Sequence, residues 1–170
     1  MKILKMVCLS FLCAFIFVSL AQAAGETKIG VLDLSKTFDG YEKTKEYDAV
    51  LEQKTKEYEK ERNAKIDKLK EVEGKLALLQ GEEKEKTQKE FDQLRQELLQ
   101  YDQAQRTDLG KQRDERIREI LLEIEKVVSD FAKKQGYDII LNDRVLIYGS
   151  DALDVTDQVL KNLNDSYNKK

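Results

Sequence analysis

Residues 117–131 read IREILLEIEKVVSDF, and residues 90–101 read EFDQLRQELLQY. In the first stretch Ile117, Ile120, Ile124, Val127, Val128 and Phe131 recur at steps of mostly three and four, and in the second Phe91, Leu94, Leu98 and Tyr101 do the same. This is the period of an α-helix with one apolar stripe. Working outward, Leu69, Val72, Leu76 and Leu79 continue the pattern on the N-terminal side, and Tyr47, Leu51 and Tyr58 precede them more sparsely. The whole segment, residues 41–135, has 95 residues, 22 Lys/Arg against 24 Asp/Glu, no proline, and three glycines at Gly74, Gly81 and Gly110. It has too few apolar residues to form a compact core of its own. A narrow stripe on a long helix calls for one partner helix.

The chain itself supplies that partner. Gln80-Gly81-Glu82-Glu83 interrupts the stripe near its middle, and acidic residues just after a glycine suit the first turn of a new helix. The spacing predicts two antiparallel helices, about 42–79 and 83–135, meeting at a tip near Gly81. Facing residue numbers should then add to about 162, which sets the apolar-poor stretch 52–65 against 97–110. Gly110 lies there as well, at a cost of ~1 kcal/mol relative to alanine in a helix interior. The middle of the arms is therefore expected to be soft. Glu-to-Lys pairs four apart, such as Glu52/Lys56 and Glu71/Lys75, read as a solvated helix face.

The two ends of the chain look different. Lys28-Ile-Gly-Val-Leu-Asp-Leu34 has the character of one strand, with Ser35 placed to cap a short turn that Gly40 ends. Gly136 breaks the second arm after Lys133 and Lys134. Tyr137-Asp-Ile-Ile-Leu141 and Val145-Leu-Ile-Tyr148 read as two strands around the turn Asn142-Asp143-Arg144, and Thr156 as the N-cap of a last helix. The fold class is thus α+β. A small β-rich body from residues 24–40 and 136–170 carries a long antiparallel helical hairpin, 41–135, as an insertion. A body of this size usually needs staples or association. The apolar strand residues Ile29, Val31, Leu32, Ile139, Ile140, Leu141, Val145, Leu146 and Ile147 are the candidate oligomerisation contacts, because their continuous runs suggest strands buried on both faces.

Ahead of the body, Lys2 and Lys5, an apolar run from Met6 to Leu20 and Ala21-Gln22-Ala23 describe an export signal cut after Ala23, residues 1–23. The run of 15 residues falls short of the ~20 that span a bilayer, and Cys8 and Cys13 lack the small preceding residue of a lipidation site. Both cysteines lie in this leader, so the mature chain has no thiol chemistry and no disulfide framework. Its removal takes away two lysines and no acid, leaving 28 bases against 33 acids, a formal charge of −5. That balance argues against nucleic acid, which needs a concentrated positive surface. The chain has no histidine, and Gly149-Ser150-Asp151 lacks the spacing and the lysine of a phosphate loop. The helical carboxylates sit in no evident cleft that would separate their pKa values. No enzyme, cofactor or metal site is expected.

The two ends carry a resemblance. Lys28-Ile-Gly-Val-Leu-Asp-Leu34 followed by Phe38, Tyr137-Asp-Ile-Ile-Leu-Asn142 through Val145-Leu-Ile-Tyr148, and Asp154-Val-Thr-Asp-Gln-Val-Leu160 together resemble the Skp/OmpH family of periplasmic chaperones. The resemblance implies a homotrimer whose strands assemble into a central body, with three helical hairpins enclosing a cavity. It further implies an ATP-independent periplasmic holdase that keeps unfolded outer-membrane proteins from aggregating there. Tyr47, Leu78 and Leu99, left over from the hairpin seam, are the candidate client-facing residues. The best-known members are strongly basic, whereas this hairpin nets −2. That puts contact with lipopolysaccharide or anionic lipid in doubt. The alternative is a coiled-coil envelope scaffold that binds one folded partner, which would favour a uniform seam over a patchy one.

Overall fold

The structure, a computed structural model, describes residues 26–169. The expected leader, residues 1–23, lies outside the described residues. Strand β1 (Ile29–Leu32) is followed by α1 (Leu34–Gly40), α2 (Glu42–Leu76), α3 (Gly81–Gln135), β2 (Ile139–Asn142) and α4 (Thr156–Tyr167), with short 3-10 turns at Asp143–Val145 and Asp151–Leu153. At a rise of ~1.5 Å per residue the 35-residue α2 and 55-residue α3 are about 50 and 80 Å long. The turn between them spans residues 77–80, and Gly81 takes a φ of +61°, open to glycine at little cost.

β1 and β2 pair in parallel, with Ile29 opposite Ile139 and Leu32 opposite Asn142. Parallel neighbours need a crossover connection, and here the whole hairpin is that connection. The other side of β1 is closed by a bridge from Val31 to Asp154, where the Val155 N–H donates to the Val31 carbonyl at 2.9 Å. Gly136, with φ +70°, ends α3 in the left-handed conformation, and the Tyr137 N–H donates to the Ala132 carbonyl at 2.9 Å.

The core sits where α1, α3 and α4 meet the sheet. Leu32, Phe131, Val155 and Val159 form one buried cluster, and Tyr41, Ile120, Ile124 and Leu163 form a second beside it. Beyond this root, Val72 is the buried apolar residue of the arms among the described residues. Apolar packing is concentrated at the hairpin root and thins outward.

Three local expectations are corrected. The second strand of a β2 hairpin does not form. The Asn142 side chain accepts from the Arg144 N–H at 3.3 Å and the Leu146 N–H donates to the Asp143 carbonyl at 2.9 Å, so the chain tightens into a 3-10 turn and leaves the sheet. Residues 145–148 then run outside any strand. Asp33, not Ser35, caps α1, accepting from the Lys36 N–H at 2.8 Å. Thr156 is the first residue of α4 rather than its cap. Its hydroxyl accepts from the Asp33 N–H at 2.9 Å, while Asp154 Oδ1 accepts from the Thr156 N–H at 2.7 Å. These bonds stitch the start of α4 to the end of β1.

Candidate functional site

The hairpin is locked at its root by a buried cation. Lys43, its side chain 10% exposed, donates to Glu119 and Glu123 on α3, both at 2.7 Å. The Tyr41 hydroxyl donates to Glu123 at 2.8 Å. Arg116 donates to Glu119 and to the Tyr47 hydroxyl, both at 3.0 Å, and lies 4.3 Å over the Tyr47 ring. Burial alone would lower the Lys43 pKa, but the two glutamates outweigh it and raise it. Glu119 is held below the usual carboxylate range, chiefly by Lys43. Burial, then the bond to Glu123, raises the Tyr41 phenol.

Further out, where apolar residues are sparse, tyrosines and ion pairs join the arms. Tyr58 donates to Asp102 at 3.1 Å, Arg62 pairs with the same carboxylate at 3.1 Å, and Tyr101 donates to Glu61 at 2.7 Å. The Tyr58 and Tyr101 rings lie 6.0 Å apart. Each of these pairs has residue numbers adding to about 162. Partial burial pushes the Asp102 carboxyl up, but Arg62 and Tyr58 hold it below the usual range. The bond to Glu61 moves the Tyr101 phenol up to about 12.

The sheet presents two unlike faces. Gly30, Leu32 and Ile140 point to the helices, and Leu32 and Ile140 belong to the chain's own core. Ile29, Val31, Ile139 and Leu141 share the opposite face, where Ile29 and Ile139 are exposed. Residues 145–148 extend this apolar surface. Val145 and Ile147 stand in solvent, Leu146 is half-buried, and Tyr148 is 84% exposed. Within one chain these strands are therefore covered on one face only, not on both.

The three candidate contact residues of the arms are spread along the hairpin. Tyr47 is half-buried at the root, held by Arg116 and Glu119. Leu78 lies in the tip turn, 86% exposed, and Leu99 is 62% exposed on the long helix. The structure does not bring them together. Among the described residues, no helix is long and apolar enough to cross a membrane, and no group of His, Cys, Asp and Glu is arranged to hold a metal ion.

Comparison with known proteins gives this arrangement a family. The model of the OmpH-like outer membrane protein family matches residues 28–163, from the foot of β1 into α4 and across the whole hairpin. The chain belongs to the OmpH-like family. A crystal structure of an OmpH-like protein from Caulobacter crescentus CB15 superposes with a TM-score of 0.76 at 12% identity, covering 85% of this chain and 88% of that one. At that identity the likeness is one of fold. A search of curated proteins finds no match to the sequence.

This OmpH-like chain also exposes apolar groups that the periodicity of the sequence does not single out. Val50, Leu121 and Leu122 lie near the hairpin root and reach solvent, as does Ile117, the first residue of the periodic stripe. Leu122 falls off the Ile120–Ile124 stripe while Leu121 sits at its edge beside Val128, so the phase of Leu122 on the helix is the signal that could have found this patch. Beside them, on the seam between the arms, a cleft of about 320 Å³ opens over Phe38, Thr44, Tyr47 and Leu51 on one side and Ile117 and Ile120 on the other. Lys54, Arg113 and Arg116 stand on its rim with Asp48. Small apolar surfaces divided by charge allow many weak contacts while limiting self-association.

Proposed function

We propose that this protein is an ATP-independent holdase chaperone of the periplasm, which binds unfolded outer-membrane proteins between its helical arms and prevents their aggregation. Membership of the OmpH-like family supports a chaperone-type function, and the Caulobacter relative in fold is described as an outer membrane chaperone. The observation that carries the reading is the patchwork of exposed apolar groups on a long hairpin, from Val50, Ile117, Leu121 and Leu122 at the root through Leu99 to Leu78 at the tip. A single deep pocket would select one client, whereas scattered patches accept many.

The working unit in this reading is a homotrimer. In this reading the uncovered sheet face and the apolar residues 145–148 are the surface that neighbouring copies cover, an association that a body of this size needs for stability. Export follows from the leader, removed after Ala23. The acidic balance of the chain argues against lipopolysaccharide or anionic lipid as the partner.

Light scattering tests this reading. A urea-unfolded outer-membrane β-barrel protein, diluted into buffer without nucleotide, should stay clear when about one trimer per client is present. Undiminished scattering at a severalfold excess of trimer would contradict it.

A further inference from the structure

We propose that the cleft at the hairpin root is an anchor pocket for one tyrosine side chain of an unfolded chain, with a neighbouring carboxylate held at its cationic rim. The inference rests on the holdase reading and names what this part of the surface takes. At about 320 Å³ the cleft lies at the lower end of ligand pockets, roughly 300–1,000 Å³. That volume admits a single large side chain rather than a helix or a multi-tailed lipid. Phe38 and Tyr47 line the cleft with aromatic side chains, surroundings that favour an incoming aromatic group.

Thr44 decides between aromatic occupants. It borders the cleft, is 3% exposed, and its hydroxyl has no hydrogen-bond partner among the described residues. Two other helical threonines satisfy themselves: Thr37 donates to the Asp33 carbonyl at 2.7 Å and Thr55 to the Leu51 carbonyl at 2.9 Å, each four residues back. For Thr44 the equivalent carbonyl is that of Gly40. It belongs to the preceding helix, across the extended corner at Tyr41, and accepts from Asn164 at 3.4 Å. An apolar pocket holding an unpaired buried hydroxyl favours a ligand that reaches it and penalises one that does not. A phenol both donates and accepts, so it meets that need where phenylalanine leaves it unmet.

The rim supplies the second element. Lys54 donates to the neutral amide oxygen of Gln112, whereas Arg113 and Arg116 are paired with Asp114 and Glu119. Lys54 thus suits a carboxylate brought beside the tyrosine.

The assembled mature protein should be titrated with unstructured, dye-labelled peptides that differ only in a central Tyr or Phe next to Asp or Asn. Fluorescence anisotropy should give the Tyr peptide about five- to tenfold tighter binding than the Phe peptide. Thr44→Val should bring that ratio close to one without weakening the Phe peptide, Thr44→Ser should keep it, and Lys54→Gln should erase the preference for Asp over Asn. Absence of peptide binding, equal binding of Tyr and Phe, or a ratio that survives Thr44→Val would overturn the proposal. Suppression of barrel-protein aggregation, measured on the same preparations, separates the two readings. If it persists without discrimination, only the pocket assignment falls; if it is absent too, the holdase reading falls with it.

Discussion

Lys43 shows how a chain with a thin apolar seam fixes the angle of its arms. One buried amine satisfies two glutamates of the opposite helix, so replacing it leaves two facing carboxylates with no cation between them. Lys43→Met is expected to destabilise the protein by about 1–3 kcal/mol in urea unfolding, reduced from a fully buried pair because the glutamates are partly exposed. The pH dependence has a definite sign. Glu119, Asp102 and Asp154 are held below the usual carboxylate range, by Lys43, by Arg62 and Tyr58 against the effect of burial, and by Thr156 respectively. Groups of this kind contribute stability that is present above their unfolded pKa, about 4, and lost as pH falls through the folded value. The raised Lys43 contributes stability that is present below about pH 10 and lost only in strong alkali. With no histidine in the chain, stability should be nearly flat from about pH 5.5 to 8 and fall below about pH 4.5. In Lys43→Met the acid fall should be shallower, and urea midpoints measured across this range check both statements.

At the scale of elements, the hairpin was legible because its information is local and periodic. Phe91, Leu94, Leu98 and Tyr101 name a helix face without reference to anything else. The pairing of Tyr58 with Asp102 and of Tyr101 with Glu61 was not, since it needs the register of two arms and the reach of a phenol. Residues 145–148 look like a strand because an apolar run says nothing about whether a free strand edge is available, and the Asn142 side chain turns the chain away first. The caps of α1 and α4 were displaced for a related reason: the Thr156 hydroxyl is taken up by the Asp33 N–H, a contact 123 residues away in sequence. The root cleft was hidden because three elements build it. Polar ties stand where the apolar seam is thin, and such ties contribute less than buried stripes. Hydrogen exchange should therefore be faster at residues 97–110 than around Ile120 and Ile124, and equal protection would remove the soft-middle idea. Gly110 sits in that zone, and a methyl group placed on its Cα would meet nothing within 4 Å. Gly110→Ala should therefore stabilise the arm by about 0.5–1 kcal/mol and slow exchange locally.

At the scale of the whole molecule, one sheet face and residues 145–148 are left uncovered within a single chain, and in the proposed trimer neighbouring copies cover them. Ile147→Asp, at a side chain that is fully exposed in the single chain, should leave helix content unchanged by circular dichroism yet shift the species in analytical ultracentrifugation from trimer towards monomer. The same change in a protein that works as a monomer would alter neither. The most direct test of the account is native mass spectrometry of the mature protein, alone and after mixing with a urea-unfolded outer-membrane β-barrel protein. A trimer that takes up one unfolded client and ignores a folded control is the expected result. A stable monomer, or a trimer that leaves the unfolded client unbound, would contradict it.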